Sequence, residues 1–391
     1  MFNFFAASPK GFEYSLACEL KEFGAFEVKE SVAGVYFSAP LELAYRITLW
    51  TRLASRIVLV IYKGACESAE QLYNAAYCID WPSHFSNKNT FSIDFHGTGG
   101  FINNTQFGAL KIKDAVVDRM RKVANKRPST GSELTGAVVY LYWKYDEAEV
   151  FIDTTGDSLA RHGYRKIPGK APMLEALAAA TILSGKWDRF TPFINPMCGS
   201  GTLAIEAALI ATKRVPGLLR ENYAFMHVLG YKKEVYENER TIIENQIRSL
   251  PALQIIASDM SKQAIDIAKI NAAAAGVEDL ITFQVCDFES TKMPDNMEGA
   301  VLLFNPEYGE RLGEEIELEA TYARMGDFLK NKCKGATGYI FTGNLELAKK
   351  IRLKPSRRIE FLNAKIDCRL LEYELYAGSR RVEKEIAPLT T

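Results

Sequence analysis

The chain has 391 residues, with 48 lysines and arginines against 48 aspartates and glutamates, so formal net charge is zero. That length exceeds one modest core, and a 48% hydrophobic, 25% charged composition excludes disordered and low-complexity classes. Zero net charge excludes a uniformly basic nucleic-acid binder, and seven cysteines without a Cys-x-x-Cys pair exclude a disulfide framework or zinc site, indicating a reducing cytoplasm.

No apolar run approaches membrane-spanning length, and Met1-Phe2-Asn3-Phe4-Phe5 lacks the basic leader of a signal peptide. Residues 13–23 read as helix, 28–37 as a strand pair around Gly34, 41–53 as helix and 57–62 as a β-branched strand. Together they make a small α+β unit. Residues 91–95 alternate as a strand that Gly97, Gly99 and Gly100 interrupt. A helix follows over 104–126, with Leu110, Ile112, Val116, Val117, Met120 and Val123 assigned to one arc. Lys111, Asp118, Lys122, Asn125 and Lys126 take the other. Between Gln106 and Arg127 seven basic residues face two acidic ones, and Lys113 falls within the apolar arc, where a lysine needs a role or a snorkelling route. After Pro128, residues 137–143 and 149–153 alternate as a strand pair.

Residues 190–194 form a short apolar strand, and Asn195-Pro196-Met197-Cys198-Gly199-Ser200-Gly201-Thr202 turns it into a helix over 202–211. Two glycines one residue apart allow a tight reversal and bring bare N–H groups near a ligand, one edge of a site in an open α/β sheet. Neither a third glycine at the dinucleotide spacing nor a Gly-Lys-Ser/Thr is present, which excludes an NAD fingerprint and a phosphate loop. In the insertion 213–251, Lys213, Arg214, Arg220, Lys232, Lys233, Arg240 and Arg248 lie among Tyr223, Phe225, Tyr231 and Tyr236. It either packs its aromatics inward or presents a wall to unstacked bases. A strand over 253–258 ends at Asp259, placed to accept from ribose hydroxyls or to cap the helix 261–275, a role Ser261 also fits. The strand 281–285 leads to Asp287, suited to an adenine amine, with Phe288 against the ring. The strand 300–304 runs into Asn305-Pro306-Glu307-Tyr308-Gly309-Glu310-Arg311-Leu312-Gly313. A helix at 318–332, a strand at 338–342, a short helix at 345–353 and an antiparallel pair at 357–361 and 368–376 complete the pattern. Residues 349–358 hold six bases and no acid, whereas 287–319 hold ten acids and two bases, so phosphates are expected near the former and the 104–126 helix.

The run Gln106-Phe107-Gly108-Ala109-Leu110-Lys111-Ile112-Lys113-Asp114-Ala115-Val116-Val117-Asp118, with Arg127-Pro128, resembles a THUMP RNA-binding domain. The stretch from Asp153 to Arg165 is similar to the hinge that joins THUMP to the catalytic domain in one methyltransferase family. These are the bacterial large-subunit ribosomal RNA guanine-N2 methyltransferases, often described as adenine-N6 DNA methylases, with archaeal tRNA relatives. The likeness continues from Lys170 to Ala180 and through Val215-Pro216-Gly217-Leu218-Leu219-Arg220. The turn and two acids at successive strand ends resemble the S-adenosylmethionine site of class I methyltransferases. Asn305-Pro306-Glu307-Tyr308 looks like the Asn-Pro-Pro-Tyr of enzymes that methylate amino nitrogens.

This resemblance implies an α/β fold, a class I Rossmann-like sheet preceded by an α+β ferredoxin-like and THUMP region. Its divisions are 1–50, 51–155, a hinge at 156–170 and 171–391 with the insertion. It implies S-adenosylmethionine as cofactor, held by Asn195, Pro196, Cys198, Gly199, Gly201, Thr202, Asp259, Asp287, Phe288 and Asn305. Asn305, Pro306 and Tyr308 would act on the base, and no metal is called for. RNA would be held by Lys111, Lys113, Arg119, Lys122, Lys126, Arg127, Arg161 and Arg165. The sequence departs from the family at Glu307, where a second proline is usual, and at Asn195, where an aspartate is usual. Ribosomal RNA is the expected partner; a tRNA substrate, an adenine-N6 methylase and a weakly active ribosome-assembly protein stay open. Longer family members carry a second methyltransferase domain, which this sequence is expected to lack.

Overall fold

Period-two alternation in the amino-terminal third produces strands that bury one face under helices. The computed structural model describes residues 1–98, 105–169, 172–309, 315–363 and 366–376. Gly99, Gly100, Asn104, Lys170, Ala171 and the run from Glu310 to Gly313 lie outside them. The chain divides into Met1–Gly163 with Lys213–Ile247, and Tyr164–Thr212 with Arg248–Thr391.

In the first unit the strands are β1 (Phe2–Ala7), β2 (Phe26–Ser31), β3 (Gly34–Ala39), β4 (Arg56–Ala65), β5 (Thr90–Thr98), β6 (Ser129–Thr130), β7 (Ala137–Lys144) and β8 (Glu147–Asp153). They form one sheet in the order β2-β3-β1-β4-β8-β7-β5-β6. β4 is shared: its first residues pair β1 (Arg56↔Ala7 to Leu59↔Phe4), and Val58 to Ala65 pair β8 (Val58↔Asp153, Ala65↔Glu147) with a bulge between Val60 and Tyr62. The helices are α1 (Glu13–Glu22), α2 (Leu41–Trp50), α3 (Ala69–Cys78) and α4 (Thr105–Ala124). Leu72 and Ala76 of α3 and Ile112, Ala115, Val116 and Met120 of α4 close on Val139, Leu141, Val150, Ile152, Trp81 and Trp143.

Two assignments on α4 change. Leu110 and Val123 are each 51% exposed. Leu110 stands roughly 160° around the helix from Ile112 at 100° per residue, and Val123 lies in the last turn. Lys113 sits on the flank of the buried stripe, 30% exposed, which satisfies its ammonium without a buried role. Strand β1 and helix α3 were not foreseen.

The second unit holds α5 (Glu175–Ser184), β9 (Phe193–Pro196) and α6 (Thr202–Ala211). The chain then contributes α7 (Lys233–Glu244) to the first unit. It resumes with β10 (Ile255–Asp259), α8 (Lys262–Ala274), β11 (Ile281–Val285), β12 (Val301–Phe304), α9 (Glu315–Lys332), β13 (Thr337–Thr342), α10 (Leu345–Lys349), β14 (Arg357–Asn363) and β15 (Ile366–Glu374). The sheet order is β11-β10-β9-β12-β13-β15-β14. β9 through β13 run parallel, and β15 and β14 add an antiparallel edge. Every residue of α6 is buried, and its alanines let it lie close to the sheet. A second core joins Ile194, Leu302, Phe304 and Ile340 to Tyr322, Met325, Phe328 and Leu329 of α9. Strand order reverses between β9 and β12, and at such a switch point an open α/β sheet has its crevice.

The insertion packs its aromatics inward. Tyr223 and Phe225 are fully buried, stacked at 5.0 Å, and Phe225 stacks on Tyr45 of α2 at 4.6 Å. Arg220 and Arg240 are engaged locally, over Tyr223 and Tyr236, and Glu239 takes a bidentate bond from Arg46 of α2. The alternative of a stacking wall for bases does not hold for these rings.

Candidate active site

The Gly-x-Gly turn is built from backbone that few side chains tolerate. Gly199 has φ +55° and Gly201 φ +82°. A Cβ added at Gly199 would meet nothing within 4 Å, so the peptide there is approachable, whereas one at Gly201 would sit 2.9 Å from Ala268 Cβ. The Gly199 N–H donates to Asp259 Oδ2 at 3.0 Å, and Asp259 Oδ1 accepts from the Ser261 N–H at 2.9 Å. The turn after β9 is thereby tied to the tip of β10. Asp259 keeps further acceptor capacity on both oxygens. Ser261 is the true cap of α8, its hydroxyl accepting from the Ala264 N–H.

Beneath the turn lies a support that sequence reasoning assigned elsewhere. Arg165, expected to touch RNA, is only 14% exposed. It donates to Glu175 Oε1 at 3.0 Å, the Met173 carbonyl at 2.6 Å, Thr202 Oγ1 at 3.3 Å and Ser200 Oγ at 3.4 Å. A guanidinium engaged on every side is not available to phosphate, which corrects that assignment. Asn271 on α8, 1% exposed, donates to the Ser200 and Ile167 carbonyls and accepts from the Lys166 and Ile167 N–H groups. A buried asparagine within an alanine-rich helix was the signal that would have found it.

Cys198 is 9% exposed; burial first, and the Asp259 carboxylate second, push its thiol well above the ordinary range, so it remains protonated and is no nucleophile. At the third strand end, Asp287 accepts from Arg324 at 2.8 Å and from the Glu289 N–H. Burial opposes ionisation there, yet the Glu289 N–H and Arg324 hold its carboxyl below the usual value. Phe288 is a core ring, 5% exposed and edge-on to Phe304 and Phe328 with Arg324 above it. That leaves it no open face for a base, contrary to its expected stacking role.

Across the switch point, the chain leaves β12 at Asn305. Its Oδ1 is buried and bonds to no described residue. Pro306 is buried and Glu307 exposed. The Glu307 carbonyl takes the Tyr322 hydroxyl at 3.4 Å, and the Tyr308 carbonyl takes Asn344 Nδ2 at 3.3 Å. Asn363 Nδ2 donates to the Tyr308 hydroxyl at 3.2 Å, and the Tyr308 ring lies so near Gly343 that a Cβ there would be 3.2 Å from it. Gly343, Asn344 and Asn363 were not anticipated, although Asn344 directly after a strand carries an N-cap signature.

In the first unit, α4 presents its cations over aromatics. Lys111 lies 5.5 Å from the Phe107 ring, and Arg119 and Lys122 lie 6.0 and 5.7 Å from Tyr77, itself stacked on Tyr73. Lys126, Arg127 and Arg161 are exposed. Of the carboxy-terminal bases, Lys349, Lys350 and Arg357 are ion-paired with Glu346, Glu319 and Glu372.

Residues 162–372 match the family model of the RMKL-like methyltransferase domain. The chain belongs to this family. Residues 3–58 match the RlmL ferredoxin-like domain and 66–153 the THUMP domain. Among curated relatives, ribosomal RNA large subunit methyltransferase K/L of Shewanella sp. strain W3-18-1 is 49% identical over 394 residues, covering 99% of this chain and 55% of the relative. The protein of that name from Shewanella frigidimarina is 50% identical over 386 residues, covering 97% and 54%. The chain thus spans about half the length of the curated relatives it matches. Among solved structures, SMU.472, assigned as a methyltransferase and complexed with SAH, superposes with a TM-score of 0.87 at 26% identity, covering 97% of this chain and 99% of that one. A protein from Listeria monocytogenes assigned as an N6-adenine-specific DNA methylase gives 0.83 at 28% identity, with 97% and 96% covered. These establish the α/β methyltransferase fold with a ferredoxin-like and THUMP region. Among the described residues no helix is long and apolar enough to cross a membrane.

Proposed function

We propose that this chain transfers a methyl group from S-adenosylmethionine to the exocyclic N2 of a guanine in large-subunit ribosomal RNA, acting in the cytoplasm. The observation that carries this reading is the buried Oδ1 of Asn305, which bonds to no described residue and stands at the carboxyl end of β12 across the switch point from the glycine turn. A buried acceptor costs about 1–3 kcal/mol when left unpaired, so such an atom is expected to receive a donor from substrate.

The donor set fits the cofactor. The approachable peptide at Gly199, the remaining lone pairs of Asp259 and the carboxylate of Asp287 would hold its amino-acid, ribose and adenine parts in turn. When bound, S-adenosylmethionine supplies a methyl group activated by its sulfonium. The amine of guanine is a poor nucleophile because its lone pair is delocalised into the ring. Asn305 Oδ1 and the adjoining Pro306 carbonyl can accept its two N–H bonds, which favours the positive charge that develops on nitrogen. Tyr308, pinned by Asn363 and Asn344, offers a ring to hold the base in line. Extracting a paired base costs a few kcal/mol. No strong base is required, since the alkylated nitrogen becomes acidic and releases its extra proton to water. The aromatic-backed cations of α4 suit RNA phosphates, and the relatives' names support ribosomal RNA over tRNA.

Methyl transfer to protein-free and to assembled ribosomal RNA, followed by nucleoside mass analysis, tests this. N2-methylguanosine is expected in one of them, abolished by Asn305→Ala with donor affinity retained in calorimetry. N6-methyladenosine instead, no transfer to either RNA, or full activity in Asn305→Ala would overturn it.

A further inference from the structure

β9 and β12 are joined over only two residue pairs, Val301↔Phe193 and Leu302↔Ile194, before they diverge into the two lips of the crevice. In a parallel ladder, alternate residues of a strand address one neighbour. The Val301 N–H donates to the Pro192 carbonyl at 2.9 Å, so even-numbered residues of β9 face β12. By the same alternation, the donor due to the Leu303 carbonyl is the N–H of residue 196. That residue is Pro196, which has none. Asn195 Nδ2 stands 2.8 Å from this carbonyl. Since a carbonyl only accepts, the nitrogen end of the amide must be the one that faces it. Asn195 and Leu303 are each 1% exposed, so water is no substitute donor.

We infer that Asn195 is a positioning residue, whose amide supplies the ladder hydrogen bond that Pro196 cannot and thereby fixes the Asn305 lip relative to the glycine turn. Leu303 lies two residues before Asn305. On the other side, the N–H groups of Cys198 and Gly199 are fixed by the Ser258 carbonyl and by Asp259. The strap therefore ties the segment that carries the amine acceptor to the one that carries the turn. An aspartate at 195 is nearly isosteric yet cannot donate when ionised, so the departure at this position has a structural meaning in this chain. For its kinetic readout the inference rests on the methyl-transfer reading above.

The test is a double-mutant cycle in the full chain with Asn195→Asp, Pro196→Ala and the pair. Asn195→Asp is expected to lower the melting midpoint by about 6–20 °C, because it both strands the Leu303 carbonyl and buries a charge beside it. It should slow single-turnover transfer by about 10–100-fold while donor affinity and RNA KM change little. Added to Asn195→Asp, the Pro196→Ala change returns a backbone N–H to the ladder and should recover the part of both losses that comes from the stranded Leu303 carbonyl. Additive effects in the cycle, or tighter donor binding by Asn195→Asp, would overturn the inference, the latter by making residue 195 a ligand contact. Should the wild-type chain transfer no methyl group, the functional reading fails, while the cycle in melting midpoint still decides the strap.

Discussion

Replacing Arg165 by methionine separates a structural from an RNA-binding role for the one predicted RNA contact that the fold buries. Methionine keeps much of the stem and removes four hydrogen bonds, to Glu175, Met173, Thr202 and Ser200. The main cost is Glu175, whose side chain is 3% exposed and is left as an unpaired buried charge. Removing one partner of such a pair costs about 3–5 kcal/mol. For a unit of this size that is a melting midpoint lower by about 6–20 °C. Changing Glu175 to glutamine in the same chain removes the stranded charge and should recover more than half of the loss. Melting is followed by circular dichroism, and RNA affinity by filter binding over a salt series at a temperature where the variant is folded. The slope of log affinity against log salt should match wild type. An unchanged midpoint with a slope reduced by about one would refute the reasoning, because that is the signature of a lost phosphate contact.

At the glycine turn, Gly201→Ala should destabilise by about 2–5 kcal/mol through left-handed backbone strain and the approach to Ala268, read by urea unfolding. Gly199→Ala, with nothing near its Cβ, should cost only about 1–2 kcal/mol and show its main effect as weaker donor binding in calorimetry. Asn363→Leu should raise the KM for RNA by about 2–10-fold with donor affinity unchanged, because it removes one of the bonds that hold the Tyr308 hydroxyl. Burial of Glu372 raises its pKa, but the bond from Lys186 and the charge of Arg357 outweigh this and hold it below the ordinary value of 4.5. Its contribution to stability is thus full above that value and is lost as pH falls through the depressed pKa. Glu372→Gln should flatten the acid limb of the melting profile between about pH 5 and 3.

Strand ends bearing turn and acid residues were legible in the sequence because β9, β10, β11 and β12 are short apolar runs closed by polar punctuation. So was the helix after the turn. What stayed hidden depended on partners distant in sequence. Arg165 reads as a surface cation until Glu175 and Ser200 are seen around it, and Phe288 reads as a stacking ring until Phe304 and Phe328 close on it. The insertion's aromatics had two readings that only Tyr45, almost two hundred residues earlier, could decide. Leu110 and Val123 were misplaced because being apolar was taken as being inward, which surface helices do not guarantee.

The placement of 213–247 also dictates an order of events on the ribosome. Phe225 donates its N–H to the Thr154 carbonyl, and its ring closes on α2, so the first unit stays unfinished until about residue 247 has emerged. By then β9 and α6 of the second unit have already been synthesised, with their sheet partners β10 and β12 still to come. Neither unit can mature in isolation from the nascent chain of the other, and the exposed apolar α6 has to wait. Splitting the gene at residue 212 should therefore yield two insoluble halves, whereas a cut respecting both crossings would need the loop from 213 to 247 grafted back onto the first piece.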